Sequence, residues 1–182
     1  DSPIGSFTEA VLSATDRLHS QLSKEKGIAS MKQNIKQGYR AGGRAPYGFN
    51  REEVVITKHR NGDNIIKTKL VPDPATAPYA TEYFERRAKN EPRKAILEDF
   101  DMRGVPTPSS SKIWAVSTAK SMEDNIETYL GHTVFNRHNE RLKKNGKPDG
   151  YKGGKKWRPR EEWVITENTH EPLVSEEIAQ II

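Results

Sequence analysis

From Ile4 to Ile35 the chain repeats at alternating three- and four-residue steps: Ile4, Phe7, Val11, Ala14, Leu18, Gln21, Glu25, Ile28, Lys32 and Ile35. Seven of these ten positions are apolar, the polar ones falling toward the later half. That period is helical. Ser2-Pro3 supplies an N-cap followed by proline at the first helical position, and Gly38 a stop. About 34 residues at 1.5 Å rise make a rod of roughly 50 Å. A stripe this narrow on so long a rod does not make a private core, so the helix is expected to pack on another chain or another domain. Leu22 and Met31 lie beside the seam and broaden it, and Gly27 weakens the rod by about 1 kcal/mol relative to alanine.

Past the rod comes a poor helix and a poor strand. Residues 38–49 read Gly-Tyr-Arg-Ala-Gly-Gly-Arg-Ala-Pro-Tyr-Gly-Phe, with four glycines, a proline, two arginines and two tyrosines. Two readings stand side by side. One is an interdomain linker; the other is a basic, extended segment that lies in a DNA minor groove, whose potential attracts arginine. On the second reading Arg40 and Arg44 are the groove contacts, and Gly43 permits close backbone approach.

Composition favours a polyanionic partner. The net charge is +5, with 33% hydrophobic and 30% charged residues, and the isoelectric point is about 9.3. Cysteine is absent, which excludes disulfides and cysteine-based zinc sites within these residues. The five histidines have no metal-helix spacing, and no phosphate loop, dinucleotide motif or nucleophile elbow occurs. No metal and no cofactor are expected. No apolar run approaches membrane-spanning length. The start at Asp1 and the stop at Ile182 read as the edges of a fragment of a larger protein.

The remainder reads as an α+β, mainly helical domain. Val54-Val55-Ile56 and Ile65-Ile66 flank Arg60-Asn61-Gly62-Asp63, a hairpin signal. Pro72-Asp73-Pro74 closes the hairpin and opens a helix that buries Ala80, Tyr83 and Phe84, with Arg87 beside them. Glu91-Pro92 starts a second helix with Ala95, Ile96 and Phe100, which Gly104 stops. A third has Ser117 as its candidate N-cap and an inward stripe of Ala119, Met122, Ile126 and Tyr129. These last two helices suggest a helix-turn-helix-like unit; the competing reading is a plain helical hairpin. Residues 133–137 are expected to pair with residues 162–166. His170-Glu171-Pro172 reads as a hydrogen-bonded turn that docks a final helix capped by Ser175. Residues 139–160 hold nine Lys or Arg against two acids, with interspersed glycines. They form a basic flexible loop that either touches phosphates or simply aids solubility.

In order, these pieces resemble one family. Ser2-Pro3-Ile4-Gly5, Lys24-Glu25-Lys26-Gly27, Gly42-Gly43-Arg44-Ala45-Pro46-Tyr47-Gly48-Phe49, Arg103-Gly104-Val105-Pro106-Thr107-Pro108, Trp114 with Ser117-Thr118, Tyr129-Leu130-Gly131, Asn136-Arg137, Arg158-Pro159-Arg160-Glu161-Glu162-Trp163 and His170-Glu171-Pro172 follow the pattern of the large serine recombinases of phages and transposons. The chain departs from it at Ala115, where the family usually has serine, and after Asn125, where it often has proline.

The resemblance implies an interdomain and oligomerisation helix over 1–38 and a recombinase DNA-binding domain over 39–182, with a minor-groove linker at 39–49 and the helix beginning near Ser117 in the adjacent major groove. It implies double-stranded attachment-site DNA as partner and a homodimer or tetramer in the full-length protein. It further implies a role in DNA integration and excision, no membrane contact, and a bacterial cytoplasmic location on the nucleoid when bound. The serine nucleophile would lie upstream of Asp1 and a zinc ribbon beyond Ile182, so no residue of this chain is expected to be catalytic. Expected contacts are Arg40, Gly43, Arg44, Lys112, Trp114, Ser117, Thr118, Lys120, Ser121, Arg137, Lys143, Lys144, Arg158 and Arg160, with Trp114 weighted toward packing. The rival reading is a coiled-coil protein-interaction module on a basic scaffold domain. RNA binding ranks last, for want of clustered aromatics.

Overall fold

The computed structural model describes residues 2–58, 62–108, 111–137 and 157–182. The fold is α+β and mainly helical. Helix α1 spans Pro3–Lys36, with Ser2 Oγ accepting from Gly5 N as the N-cap. Of its residues only Ile35 is buried; Ile4, Phe7 and Leu12 are 78%, 69% and 61% exposed, as a stripe without a partner in this chain requires. Only the C-terminal end of α1 is held. Tyr39 N donates to Asn34 O at 2.9 Å. The Tyr39 ring lies under the ammonium groups of Lys67 and Lys69, 4.8 and 5.4 Å from its centroid.

Strands β1 (Phe49–Lys58) and β2 (Asn64–Pro72) form an antiparallel hairpin, with Val55 opposite Ile66 and a bulge at Ile56. The hairpin base reaches the core through Phe49 and Leu70, while Val55 and Ile66 are exposed. Helices α2 (Ala77–Ala88) and α3 (Arg93–Met102) come next. Asp73 prepares the first by bonding Thr76 Oγ1 and Ala75 N. Ala77, Ala80, Tyr83 and Phe84 recur at helical spacing on α2 and are buried, as are Ile96, Leu97 and Phe100 on α3.

Helix α4 is Val116–Glu123 and α5 is Ile126–Tyr129. The continuous stripe expected from Ala119 to Tyr129 is therefore corrected to two pieces. The helix ends at Asp124, Asn125 N bonds Met122 O at 2.9 Å, and Asn125 Nδ2 turns back to Ser121 O. Asn125 competes locally for backbone partners and breaks the helix. Both pieces still bury their apolar residues, Ala119 and Met122 on one, Tyr129 on the other.

Tyr129 is the hub. It is fully buried, packs at a tilt against Phe84 and Phe49, and donates its hydroxyl to Tyr47 O at 2.9 Å. Burial pushes its phenol pKa up. Strands β3 (Thr133–Phe135) and β4 (Val164–Thr166) pair as expected, over fewer residues and in antiparallel sense, and a last helix, α6 (Glu176–Ile181), is capped by Ser175. The loop before α6 is fastened by His170, whose Nε2 meets Thr128 O at 2.8 Å. Desolvation lowers the His170 pKa, which suits the neutral ring.

Gly131 is indispensable to that fastening. Its φ is +90°, and a Cβ there would sit 2.6 Å from His170 O. Gly131→Ala is expected to cost about 3 kcal/mol, from a left-handed backbone plus a clash with a main-chain atom. Gly104→Ala, at φ +67° with open space around it, is the comparison and should cost about 1 kcal/mol. Urea unfolding of both variants checks the difference.

Candidate nucleic-acid interface

The junction between α1 and β1 is docked along most of its length. Arg40 N donates to Thr68 O at 2.8 Å, which lays the segment beside β2. The Arg40 guanidinium turns inward, and its Nη2 donates to Arg44 O at 2.6 Å. Its Nε is buried without a hydrogen-bond partner. Burial pulls the Arg40 pKa below its ordinary value, and the charges of Arg51 and Arg137 add to the effect. Arg40 thus braces the junction from inside. Between its two ends Gly42 and Gly43 take φ +87° and +82°. Two consecutive left-handed residues make a turn that side chains resist, so both glycines are set by backbone conformation.

Beyond the turn the segment is anchored to the loop that precedes α4. Arg44 Nη2 donates to Pro108 O at 2.8 Å and Tyr47 Oη to Pro106 O at 2.9 Å. The Tyr47 ring meets Trp114 edge-on at 4.9 Å. The result is an open groove of about 410 Å³ whose lining includes Arg44, Tyr47, Arg51, Asp73, Thr107 and Thr118. One wall is the junction; Thr118 is the residue of α4 that reaches the groove.

Trp114 belongs to the core. It is 5% exposed, its indole N–H donates to Val105 O at 3.1 Å, and it packs on Phe100 and Tyr47. Its inclusion among the contact candidates is corrected on that ground: a buried, satisfied indole has no face to offer. The N-cap of α4 is Ala115, so Ser117 is corrected from cap to second residue of the helix. Ala115 has no side-chain acceptor for the first-turn N–H groups. Ser117 and Lys120 are exposed, Thr118 and Ser121 half-buried, and Ala119 and Met122 point inward. Lys112 is exposed just before the helix. Residues 103–115 separate α3 from α4, well beyond the three- or four-residue connection of about one tight turn.

The basic candidates near β3 and β4 are occupied within the chain. The Arg137 guanidinium lies 5.3 Å from the Trp157 centroid and 5.9 Å from that of Trp163, and it bonds Asp124 O at 2.9 Å and Asn125 Oδ1. Arg158 pairs with Glu162 at 2.7 Å, and Arg160 pairs with Glu127 and covers Trp163. All three are drawn into fixing a stem, where Arg158 N donates to Arg137 O at 2.8 Å. Lys143 and Lys144, with most of the basic loop expected over 139–160, lie outside the described residues.

Sequence reasoning missed Tyr47 and Glu123. Tyr47 is the anchor of the junction, and the hint was an aromatic inside a Gly/Pro run. Glu123, at the end of α4, accepts from Tyr83 Oη at 2.7 Å, Arg87 Nε at 2.8 Å and Arg93 Nε at 2.9 Å. One acid among three donors from two other helices leaves no local sequence signature.

Among the described residues, no group of three or more His, Cys, Asp or Glu side chains could hold a metal ion, and no helix is long and apolar enough to cross a membrane. The described residues form a rod held by one end to a small α+β domain, with a Gly-rich junction along one open groove. The Recombinase family model matches residues 74–182, from just before α2 through α6. The chain belongs to that family, which places it in DNA recombination. Helix α1, the junction and the β1–β2 hairpin precede the matched span. No curated protein matches the chain.

Proposed function

We propose that this chain is the DNA-binding middle part of a serine site-specific recombinase and binds one half of an attachment site on double-stranded DNA. The carrying observation is that Arg44 and Thr118 line one groove, so the junction and α4 can address the same duplex together. On this reading residues 39–49 follow the minor groove and α4 enters the adjacent major groove, where Ser117, Thr118, Lys120 and Ser121 approach base edges and phosphates. The Gly42-Gly43 turn keeps the backbone slim, and Arg44 contributes its charge at the groove. Lys112 positions the helix from outside. Helix α1, with its apolar residues exposed, serves assembly into the dimers and tetramers of the full-length enzyme. The element is of phage or transposon type, acting in integration and excision in the bacterial cytoplasm.

Charge distribution supports the same reading. Residues 138–156 hold seven of the 30 Lys and Arg and two of the 25 Asp and Glu, which leaves 23 of each sign elsewhere. The whole basic excess sits in one short stretch, suited to phosphates without regard to sequence.

Selection from randomised duplexes tests the proposal. The chain is expected to enrich a defined half-site, and Arg44→Ala to weaken binding and relax A·T preference at the inner positions. Ser117→Ala is expected to change the preferred base at one position, at a cost of about 1–3 kcal/mol for a good contact. Absence of duplex binding even at low salt would leave the interaction-module reading standing in its place.

A further inference from the structure

We propose that Ile113 and Val116 are specificity residues that read thymine methyl groups in the major groove, an inference that rests on the DNA-binding reading of α4. Both are large, β-branched and open to solvent, at 67% and 52% exposure. They flank Trp114, which is fixed on both sides of its Cα: its backbone N–H donates to Asp101 Oδ1 at 2.8 Å and its indole to Val105 O. With Trp114 drawn into the core, the residues around it are presented outward on a rigid support. β-Branched side chains have few rotamers to lose, so they make stiff contact points.

The surroundings say what should meet them. Val116 opens α4, next to exposed Ser117 and one turn before exposed Lys120, and Lys112 precedes Ile113. Residues 102–122 contain Arg103, Lys112 and Lys120 and no Asp or Glu. Two apolar points thus stand among hydroxyls and cations, and the nearby Asp101 carboxylate is engaged by the Trp114 backbone N–H. A protein interface core of this size would be expected to show aromatic or arginine anchors, and the aromatic here is buried. Duplex DNA supplies the matching pattern: phosphates at the groove edges and, within a groove wide enough for a helix, one apolar group on the base edges, the C5 methyl of thymine.

Replacing thymine by deoxyuracil tests this with a change of one methyl group. Pairing, hydrogen-bond acceptors and phosphates are retained. On the selected half-site, single replacements are scanned against the unaltered chain, Ile113→Ala and Val116→Ala. At one or two positions uracil is expected to weaken the unaltered chain roughly fourfold, the value of one buried methyl group. Each variant should lose that sensitivity at its own position and keep it at the other. Both side chains are exposed, so thermal unfolding should be unchanged and the comparison is one of folded proteins. Sequence-selective binding with identical uracil ratios for all three proteins overturns the methyl reading alone. A chain that selects no duplex sequence overturns this inference together with the reading it rests on. If Ile113→Ala and Val116→Ala instead disrupt association with a second protein while the DNA ratios stay equal, the patch is a protein contact and the inference fails.

Discussion

Glu123→Gln is expected to destabilise the domain by about 3 kcal/mol, and to lower its melting temperature by about 6–12 °C. The carboxylate is 9% exposed and holds α4 against α2 and α3 through Tyr83, Arg87 and Arg93. Glutamine keeps the volume but leaves two guanidinium groups facing a neutral amide that also carries donors. The figure is taken at the low end of the range for a broken buried pair because Arg93 is 42% exposed and can rehydrate. Burial raises the Glu123 pKa, but the hydrogen bonds from Arg93, Tyr83 and Arg87 outweigh it, and the net direction is down from 4.5. Its contribution is therefore complete above the unfolded value and lost as pH falls through the folded one. Urea unfolding at neutral pH and below about pH 4.5 reads both effects: the variant should be weaker at neutral pH and lose less on acidification. An unfolding free energy within about 0.5 kcal/mol of the unaltered chain at neutral pH would show that the three donors do not depend on this acid.

The second large effect concerns affinity without stability. Changing Lys143, Lys144, Lys152 and Lys155 together to glutamine is expected to weaken all duplexes alike. If each contacts one phosphate, the slope of log affinity against log salt falls by about 0.9 per residue. Between about 50 and 200 mM salt the unaltered chain then loses roughly a hundredfold more affinity than the variant. The selected sequence should stay the same, because phosphate contacts position and base contacts specify. Thermal stability should also hold, since the stem is closed by the Arg137–Arg158 backbone bond and by Arg137 against Trp157 and Trp163. A changed sequence preference in the lysine variant would put base reading in that stretch and not on α4.

The elements with a strong period or punctuation were legible in the sequence. Ser2-Pro3 and Gly38 bracket α1, Pro92 and Gly104 bracket α3, and β3 pairs with β4 as expected. The break after α4 was not legible, because Ala119, Met122, Ile126 and Tyr129 fit one helical period and only the backbone bonding of Asn125 divides them. Basic residues were the weakest guide. Composition cannot tell an arginine in solvent from one braced in a pocket, like Arg40, or laid over tryptophans, like Arg137. Nor does charge announce exposed apolar residues such as Ile113 and Val116, which stand out only once their neighbours are seen to be buried.

The single attachment of α1 has a mechanical corollary. A stiff helix of 34 residues fastened at its last turn is a lever whose pivot lies around Ile35, Gly38 and Tyr39. With an arm of about 50 Å, a rotation of about 5° at that pivot sweeps the far end through about 4 Å. The positions of Phe7 and Ile4 therefore depend on the packing at the last turns, where α1 meets β3 and β4 and where Lys67 and Lys69 lie against the Tyr39 ring.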